Sequence, residues 1–191
     1  MKNYKILFFI ALIGITASAQ KYTKTDSSTV TKEWNGSTFS SSKSFSENIA
    51  EVSDFSMLKR ALENESLLKD LDTEEMITIF AISNKGFTAL EAKQDSVFDS
   101  SKANLLNAIV KYHVIPGRVD SHSLRKSANR NGDIAYYATI QGETLGVKEE
   151  NGQLVLVDSQ GNTSIISSTD FYHKNGFFHI VDGIVIPKTE D

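Results

Sequence analysis

The side chains in this sequence that could do acid–base or metal chemistry are four histidines and many serines and carboxylates. The histidines are His113, His122, His173 and His179. A Ser-His-Asp hydrolase needs an activated serine, but no Gly-x-Ser-x-Gly elbow is present. Asp170 and His173 lie three residues apart and could share a proton or a metal ion, yet no third ligand follows at helical or hairpin spacing. We therefore expect neither a catalytic site nor a metal site.

Motifs of other chemistries are missing from the sequence as well. The chain has no cysteine, which excludes Cys-x-x-Cys redox and zinc sites, and it has no His-Glu-x-x-His, phosphate-loop or calcium-loop motif. The net charge is −4 and the sequence has no basic block, which argues against nucleic acid and anionic lipid as partners. The sequence therefore predicts a protein that is not an enzyme and has no cofactor.

His179 lies within an apolar run, residues 177–186, and the structure of this run determines where the imidazole lies. A run so rich in Val, Ile and Phe predicts a central β-strand that is buried on both faces. Asn175-Gly176 is a turn signal before the run, and Pro187 ends it. Asp182-Gly183 predicts a bend or bulge within it. A buried histidine must find a hydrogen-bond partner or cost a few kcal/mol. We expect the core to be built around this strand, with His173 placed in a polar loop before it, residues 168–175.

The chain of 191 residues divides into three predicted segments. Residues 1–19 have the charged start, the apolar run and the Ala-x-Ala end of a secretory signal peptide, and cleavage would leave Gln20 first. An uncleaved anchor is the alternative, but the apolar run is shorter than the roughly 20 residues of a spanning helix. Residues 20–47 are rich in Ser and Thr, which predicts a flexible spacer with at best an edge strand. Residues 48–188 form one folded domain.

Periodicity within this domain predicts helices first and strands mostly afterwards. Apolar residues at helical spacing predict helices near 55–62, 67–71, 84–90, 101–112 and 121–127. Alternating β-branched runs between turn signals predict strands at 76–82, 135–140, 144–149, 153–157 and 163–168. The early strand, residues 76–82, must join the late sheet. This order is typical of an α+β fold.

Three segments of the chain resemble, in order, the motifs of the fasciclin (FAS1, βig-h3) domain family. The first is Thr78-Ile-Phe80-Ala-Ile82-Ser-Asn84-Lys-Gly86-Phe87, the second is Tyr112-His113, and the third is the stretch from Asn175 to Pro187. The resemblance implies a wedge of β-strands packed with an N-terminal set of helices. Two departures stand in the first motif, where Ile82 replaces the usual proline and Gly86 the usual alanine. We expect them to loosen the corner between strand and helix.

The resemblance also implies an extracellular adhesion protein that does not catalyse a reaction. Its partners would be cell-surface or matrix proteins, with glycans or a second copy as further options, and no membrane insertion would follow signal cleavage. The implied partner-binding residues are Asp170, Phe171, Tyr172, His173, Tyr112 and His113. A purely structural role for the three motifs is the alternative at these positions. A second alternative for function is a carrier of an apolar ligand, a pigment or lipid, in the cleft between helices and wedge, lined by Phe98, Tyr136 and Tyr137.

Overall fold

The computed structural model describes residues 28–93 and 95–188. The predicted signal peptide and residues 20–27 of the predicted spacer lie outside the described residues. The helices are α1 (Phe45–Ile49), α2 (Ser56–Ala61), α3 (Glu65–Thr73), α4 (Asn84–Glu91), α5 (Ala103–Tyr112) and α6 (Ser121–Arg130). The strands are β1 (Thr31–Trp34), β2 (Ser37–Ser40), β3 (Ile77–Ile82), β4 (Val114–Pro116), β5 (Ile134–Ala138), β6 (Thr144–Glu150), β7 (Gln153–Val157), β8 (Thr163–His173) and β9 (Gly176–Val181).

The main sheet has seven strands in the order β4-β3-β9-β8-β7-β6-β5. Strand β9 runs parallel to β3 and antiparallel to β8, so it is hydrogen-bonded on both sides. Phe178, Ile180 and Val181 of this strand are fully buried. The prediction of a central strand around His179 is therefore confirmed, and so is the α+β class with helices before the late strands.

Strand β8 is longer than the sequence predicts. It runs to His173 instead of ending near residue 168, because two register shifts between Ile166 and Phe171 let it follow β9 past a polar stretch. Asp170 lies in the second shift with φ of +59°, a left-handed conformation that Asp tolerates better than most residues. The predicted polar loop at residues 168–175 is therefore mostly a strand, and His173 is buried within it.

The described part of the predicted spacer, residues 28–47, is folded. Strands β1 and β2 form an antiparallel hairpin, and Ser44 and Glu47 form a capping box at the start of α1. Phe39 and Phe45 are buried, with the Phe39 ring centroid 5.0 Å from that of Phe178. This corrects the prediction of a flexible segment, because a few aromatic side chains inserted into the core provide the burial that the polar composition lacks.

Within the described residues, no helix combines the length and the apolar character that crossing a membrane requires.

Candidate functional site

The segment that links β4 to α6, residues 117–121, passes over β3 and β9, and we call it the crossing segment. Thr78 in β3 is fully buried beneath it. The Thr78 hydroxyl donates to the Gly117 carbonyl at 2.8 Å and accepts from the Val119 N–H at 2.8 Å. A short polar side chain therefore fixes the crossing segment on the sheet.

His179 in β9 fixes the same segment from the neighbouring strand. Its Nδ1 accepts a hydrogen bond from the Asp170 N–H at 3.1 Å, so Nε2 carries the proton and donates to the Val119 carbonyl at 2.9 Å. Burial lowers the pKa of His179 and outweighs the Val119 carbonyl and the Asp170 carboxylate, which raise it. A neutral imidazole with both nitrogens bonded is a structural clamp and not a free base.

Asp170 completes this network from the left-handed position in β8. Its carboxylate accepts from the Ser121 N–H at 2.7 Å and from the Ser121 hydroxyl at 2.5 Å. Burial raises the pKa of Asp170, but the two hydrogen bonds from Ser121 and the nearby His179 outweigh it and lower the pKa. The carboxylate thereby holds the first residue of α6.

Beside this network, three side chains form a surface cluster that we call the Arg118 cluster: Arg118, Tyr172 and Phe177. The Tyr172 and Phe177 rings lie 4.9 Å apart, and the guanidinium carbon of Arg118 lies 5.8 Å from the Phe177 ring centroid. Arg118 is exposed and the two rings are partly buried. Arg, Tyr and Phe are enriched at the energetic centres of protein interfaces, so this cluster is the candidate binding site.

Four of the six predicted partner-binding side chains do not reach the surface. Phe171, His173, Tyr112 and His113 are each exposed by 1% or less. In β8 the side chains alternate, so Phe171 and His173 face the core while Tyr172 faces outward. The prediction assumed a loop at residues 168–175, and the continuous strand corrects that assumption. Of the two remaining predicted residues, Tyr172 is a member of the Arg118 cluster and Asp170 belongs to the hydrogen-bond network beside it.

The buried pair Tyr112 and His113 connects α5 to two distant segments. The Tyr112 hydroxyl donates to the Thr144 carbonyl at 2.8 Å. The His113 Nε2 accepts from the Val185 N–H at 3.4 Å, which leaves Nδ1 to donate to the Ile109 carbonyl at 2.8 Å. Burial and the Asp158 charge raise the pKa of Tyr112 to about 12, and burial lowers the pKa of His113 to about 4. Both groups are uncharged near neutral pH and serve the packing.

The motif residues occupy structural positions. These are Thr78, Phe80, Asn84, Phe87, Asn175, Gly176, His179, Asp182 and Pro187. The Asn84 amide accepts from the Met57 N–H and donates to the Ser53 carbonyl, which joins α4 to the start of α2. The Asn175 amide donates to the carbonyls of Asp72 and Glu74 at the end of α3. A side chain on Gly176 would lie 1.9 Å from the Ile77 carbonyl oxygen, so only glycine fits.

Phe98, Tyr136 and Tyr137 were predicted to line an apolar carrier cleft, and each has different neighbours in the structure. The Phe98 ring lies 5.4 Å from Phe87 with the Arg60 guanidinium 4.6 Å from its centroid. Tyr136 is 68% exposed on β5, where it faces Gly146. Tyr137, its neighbour on the strand, has a buried hydroxyl that finds no hydrogen-bond partner in the described part of the chain. Within the described residues we also find no group of three or more His, Cys, Asp or Glu side chains placed to hold a metal ion.

The sequence did not indicate Arg118 and Phe177 as members of the site. Phe177 was predicted as part of a strand buried on both faces, whereas the alternation with buried Phe178 could have indicated an outward side chain. Arg118 follows the Pro116-Gly117 turn signal and lies outside every periodic pattern that predicts a helix or strand. Its place over Phe177 depends on the crossing segment, which joins residues about 60 positions apart in the chain.

The model of the Fasciclin domain family matches residues 53–187 of this chain. The chain is 28% identical over 134 residues to Protein sll1483 of Synechocystis sp., with 70% of this chain and 67% of that protein covered. It is 29% identical over 133 residues to the transforming growth factor-beta-induced protein ig-h3 of Sus scrofa, covering 70% of this chain. The match spans 18% of that pig protein, so the pig protein extends far beyond it.

Two further comparisons concern a fungal protein and a solved insect structure. The fasciclin-like arabinogalactan protein of Arthroderma benhamiae is 24% identical over 147 residues, which cover 73% of this chain and 35% of the fungal protein. The FAS1 domain pair of the insect cell adhesion molecule Fasciclin I superposes with a TM-score of 0.66 at 13% identity, over 83% of this chain and 66% of that one. At this identity the structural likeness concerns the fold alone.

Proposed function

This chain belongs to the fasciclin domain family, and on that premise we propose that it is an exported, non-catalytic adhesion module that binds a protein partner. The name of the structural relative, an insect cell adhesion molecule, supports this class of function. The predicted signal peptide supports export and an extracellular or periplasmic location. The partner would be a protein of a cell surface or matrix.

The observation that carries the proposal is the Arg118 cluster on a rigid support. Thr78, His179 and Asp170 together make six hydrogen bonds that fix the crossing segment or the strand beside it. Arg118 and Tyr172 are therefore presented by backbone that is already ordered before a partner arrives. Preorganisation of this kind reduces the entropy cost of association.

The buried histidines support a role without catalysis. His113 and His179 each use both ring nitrogens in bonds to backbone groups of the protein. A general base must reach a substrate proton within hydrogen-bond distance, and neither imidazole is free to do so.

The double substitution Arg118→Ala and Tyr172→Ala tests the proposed binding surface. We expect attachment of protein-coated beads to cells or matrix to fall by at least about tenfold, since arginine and tyrosine anchors each contribute about 2 kcal/mol or more. The free energy of unfolding, measured in urea, should change by only about 1 kcal/mol because neither side chain is fully buried. Asp170 is left intact in this variant because its carboxylate holds α6.

A matched control replaces another arginine and tyrosine outside the cluster. Arg130 at the end of α6 and Tyr136 on β5 are both exposed, and the variant Arg130→Ala with Tyr136→Ala removes the same chemical groups. This control should attach as well as the unmodified protein. Equal attachment by both double variants, with both folded, would show that the Arg118 cluster is not the binding surface.

A further inference from the structure

A second concave site lies at the opposite end of β9 from the Arg118 cluster. Here the carboxyl ends of the parallel strands β3 and β9, the start of α4 and the turn of the β1–β2 hairpin surround a cleft of about 380 Å³. The residues that decide its chemistry are Trp34, Asn35, Asp54, Lys85, Ser168 and Asp182. The volume falls within the range of roughly 300–1,000 Å³ typical of small-ligand sites.

The cleft carries charges of both signs, with the carboxylates of Asp54 and Asp182 beside the ammonium group of Lys85. Asp182 accepts from the Ser83 hydroxyl at 3.2 Å, the Ser167 hydroxyl at 3.0 Å and the Lys85 ammonium group at 3.2 Å. Lys85 is the second residue of α4, so this carboxylate also meets the positive end of that helix. An anionic ligand would face Asp54 and Asp182, whereas a cationic ligand would face Lys85 and the helix end. The cleft therefore favours a ligand that is polar but uncharged.

Trp34 supplies an aromatic surface beside these polar groups. The Trp34 and Phe55 rings stack with centroids 5.5 Å apart, which fixes the orientation of the indole in the wall of the cleft. The residue is only partly buried. Near it, the Asn35 amide donates to the Asp54 carboxylate at 2.9 Å. An oriented aromatic face next to carboxylate, amide, hydroxyl and ammonium groups can contact a molecule that has one apolar side and many hydroxyls.

We propose that this cleft binds a neutral saccharide. Each sugar hydroxyl both donates and accepts a hydrogen bond, which matches the mixed set formed by Asp54, Lys85 and Ser168. The C–H face of the sugar ring packs on the indole of Trp34. The saccharide is either part of a polysaccharide or a glycan carried by a glycoprotein, because both present the same uncharged hydroxyl-rich rings.

The chain itself contains the reporter for a binding test. Trp34 is the only tryptophan in the sequence, so intrinsic tryptophan fluorescence comes from this cleft alone. We would titrate the full chain with cellohexaose, a β-glucan fragment, and with mannohexaose, which represents glycoprotein mannose chains, up to about 10 mM. A saturable change in emission with either sugar is expected, and the sugar that produces it identifies the source.

Two variants and one control assign the binding to the cleft. Lys85→Ala and Asp54→Ala should each weaken the sugar affinity by about tenfold, since each removes one polar contact in a partly enclosed site. Lys85 is 78% exposed, so its removal should leave the fold intact. Lys93→Ala, an exposed lysine just beyond the other end of α4, should leave the affinity unchanged. The Arg118→Ala and Tyr172→Ala variant should also bind the sugar normally, which separates this site from the proposed protein-binding surface.

Three results would overturn the assignment. The first is the absence of a saturable response to both neutral sugars. The second is an unchanged affinity in both Lys85→Ala and Asp54→Ala. The third is tighter binding of hexagalacturonate, a sugar chain of the same length that carries a carboxylate on each ring, because the carboxylates of Asp54 and Asp182 should repel an anion.

Discussion

At the scale of single residues, three buried histidines differ in how well their ring nitrogens are bonded. Both nitrogens of His113 and of His179 have backbone partners. His173 accepts a long bond of 3.4 Å from the Asn175 N–H at Nδ1, and its buried Nε2 has no partner among the described residues. Its ring packs instead near Phe45, at 6.0 Å between centroids. His173 therefore buries a ring nitrogen without a well-formed hydrogen bond among the described residues.

Replacing each of two histidines by leucine should separate these cases. His179→Leu removes two hydrogen bonds and leaves the Val119 carbonyl and the Asp170 N–H without partners, so we expect a loss of roughly 2–4 kcal/mol of unfolding free energy. His173→Leu removes one weak bond and an unbonded nitrogen, so it should be neutral or stabilise by up to about 1 kcal/mol. Urea denaturation measures both, and a loss above about 2 kcal/mol for His173→Leu would contradict this account.

At the scale of elements, the two unusual residues of the first motif, Ile82 and Gly86, lie against each other. A methyl group on Gly86 at the start of α4 would lie 2.8 Å from Cγ2 of Ile82, the last residue of β3, and 3.1 Å from the Gly183 carbonyl oxygen. The larger Ile82 side chain therefore fits because Gly86 has none. Ile82 is 1% exposed and stays in register with Val181, so the corner that we expected to be loose is closely packed.

A double-mutant cycle tests this coupling between β3 and α4. Gly86→Ala alone should destabilise by about 1–3 kcal/mol through overpacking, even though alanine favours a helix. In an Ile82→Ala background the same change should cost less, and the interaction energy should reach at least about 0.5 kcal/mol. Ala89→Gly, at an exposed position of α4, is the control and should give the same effect in both backgrounds. Additive effects at Ile82 and Gly86 would mean that the two positions are independent.

Much of the element order follows from periodicity in the sequence, while the contacts between distant elements do not. The runs at residues 76–82, 144–149 and 153–157 predict β3, β6 and β7 within one residue of their bounds. The β1–β2 hairpin was missed because its stability comes from Trp34 and Phe39 packing on Phe55, which local composition cannot indicate. For the candidate site, Asp170 and Tyr172 were predicted, but burial of the four others depends on how β8 pairs with β9.

At the scale of the whole molecule, the buried histidines make stability depend on pH. Burial lowers the pKa of His113 and of His173 from 6.5 to about 4, and it lowers the pKa of His179 as well. Between about pH 6.5 and 4 the unfolded chain binds more protons than the folded one, so stability decreases as the pH falls. The lowered pKa values of Asp120 and Asp170 act below their ordinary value of 3.8, in a separate and more acidic range.

Urea denaturation at a series of pH values between about 7 and 4 should show this loss. Each of His113 and His173 should contribute up to about 3 kcal/mol by pH 4, an order-of-magnitude figure that follows from the size of its pKa shift. The variant His173→Leu should flatten the profile, because it removes one of the buried imidazoles. Constant stability across this range would contradict burial of the imidazoles in their neutral form.

The hairpin described above also has a mechanical consequence. Among the described residues, β1 pairs with β2 alone, whereas β9 is bonded to strands on both sides. A pulling force applied at the amino-terminal end therefore acts first on β1, whose pairs open one after another, while β9 resists because two ladders must shear together. We expect the hairpin to peel at low force, with Phe39 leaving the core, and the rest of the domain to hold. Since Trp34 lies on β1, the proposed saccharide cleft would come apart under tension before the Arg118 cluster does.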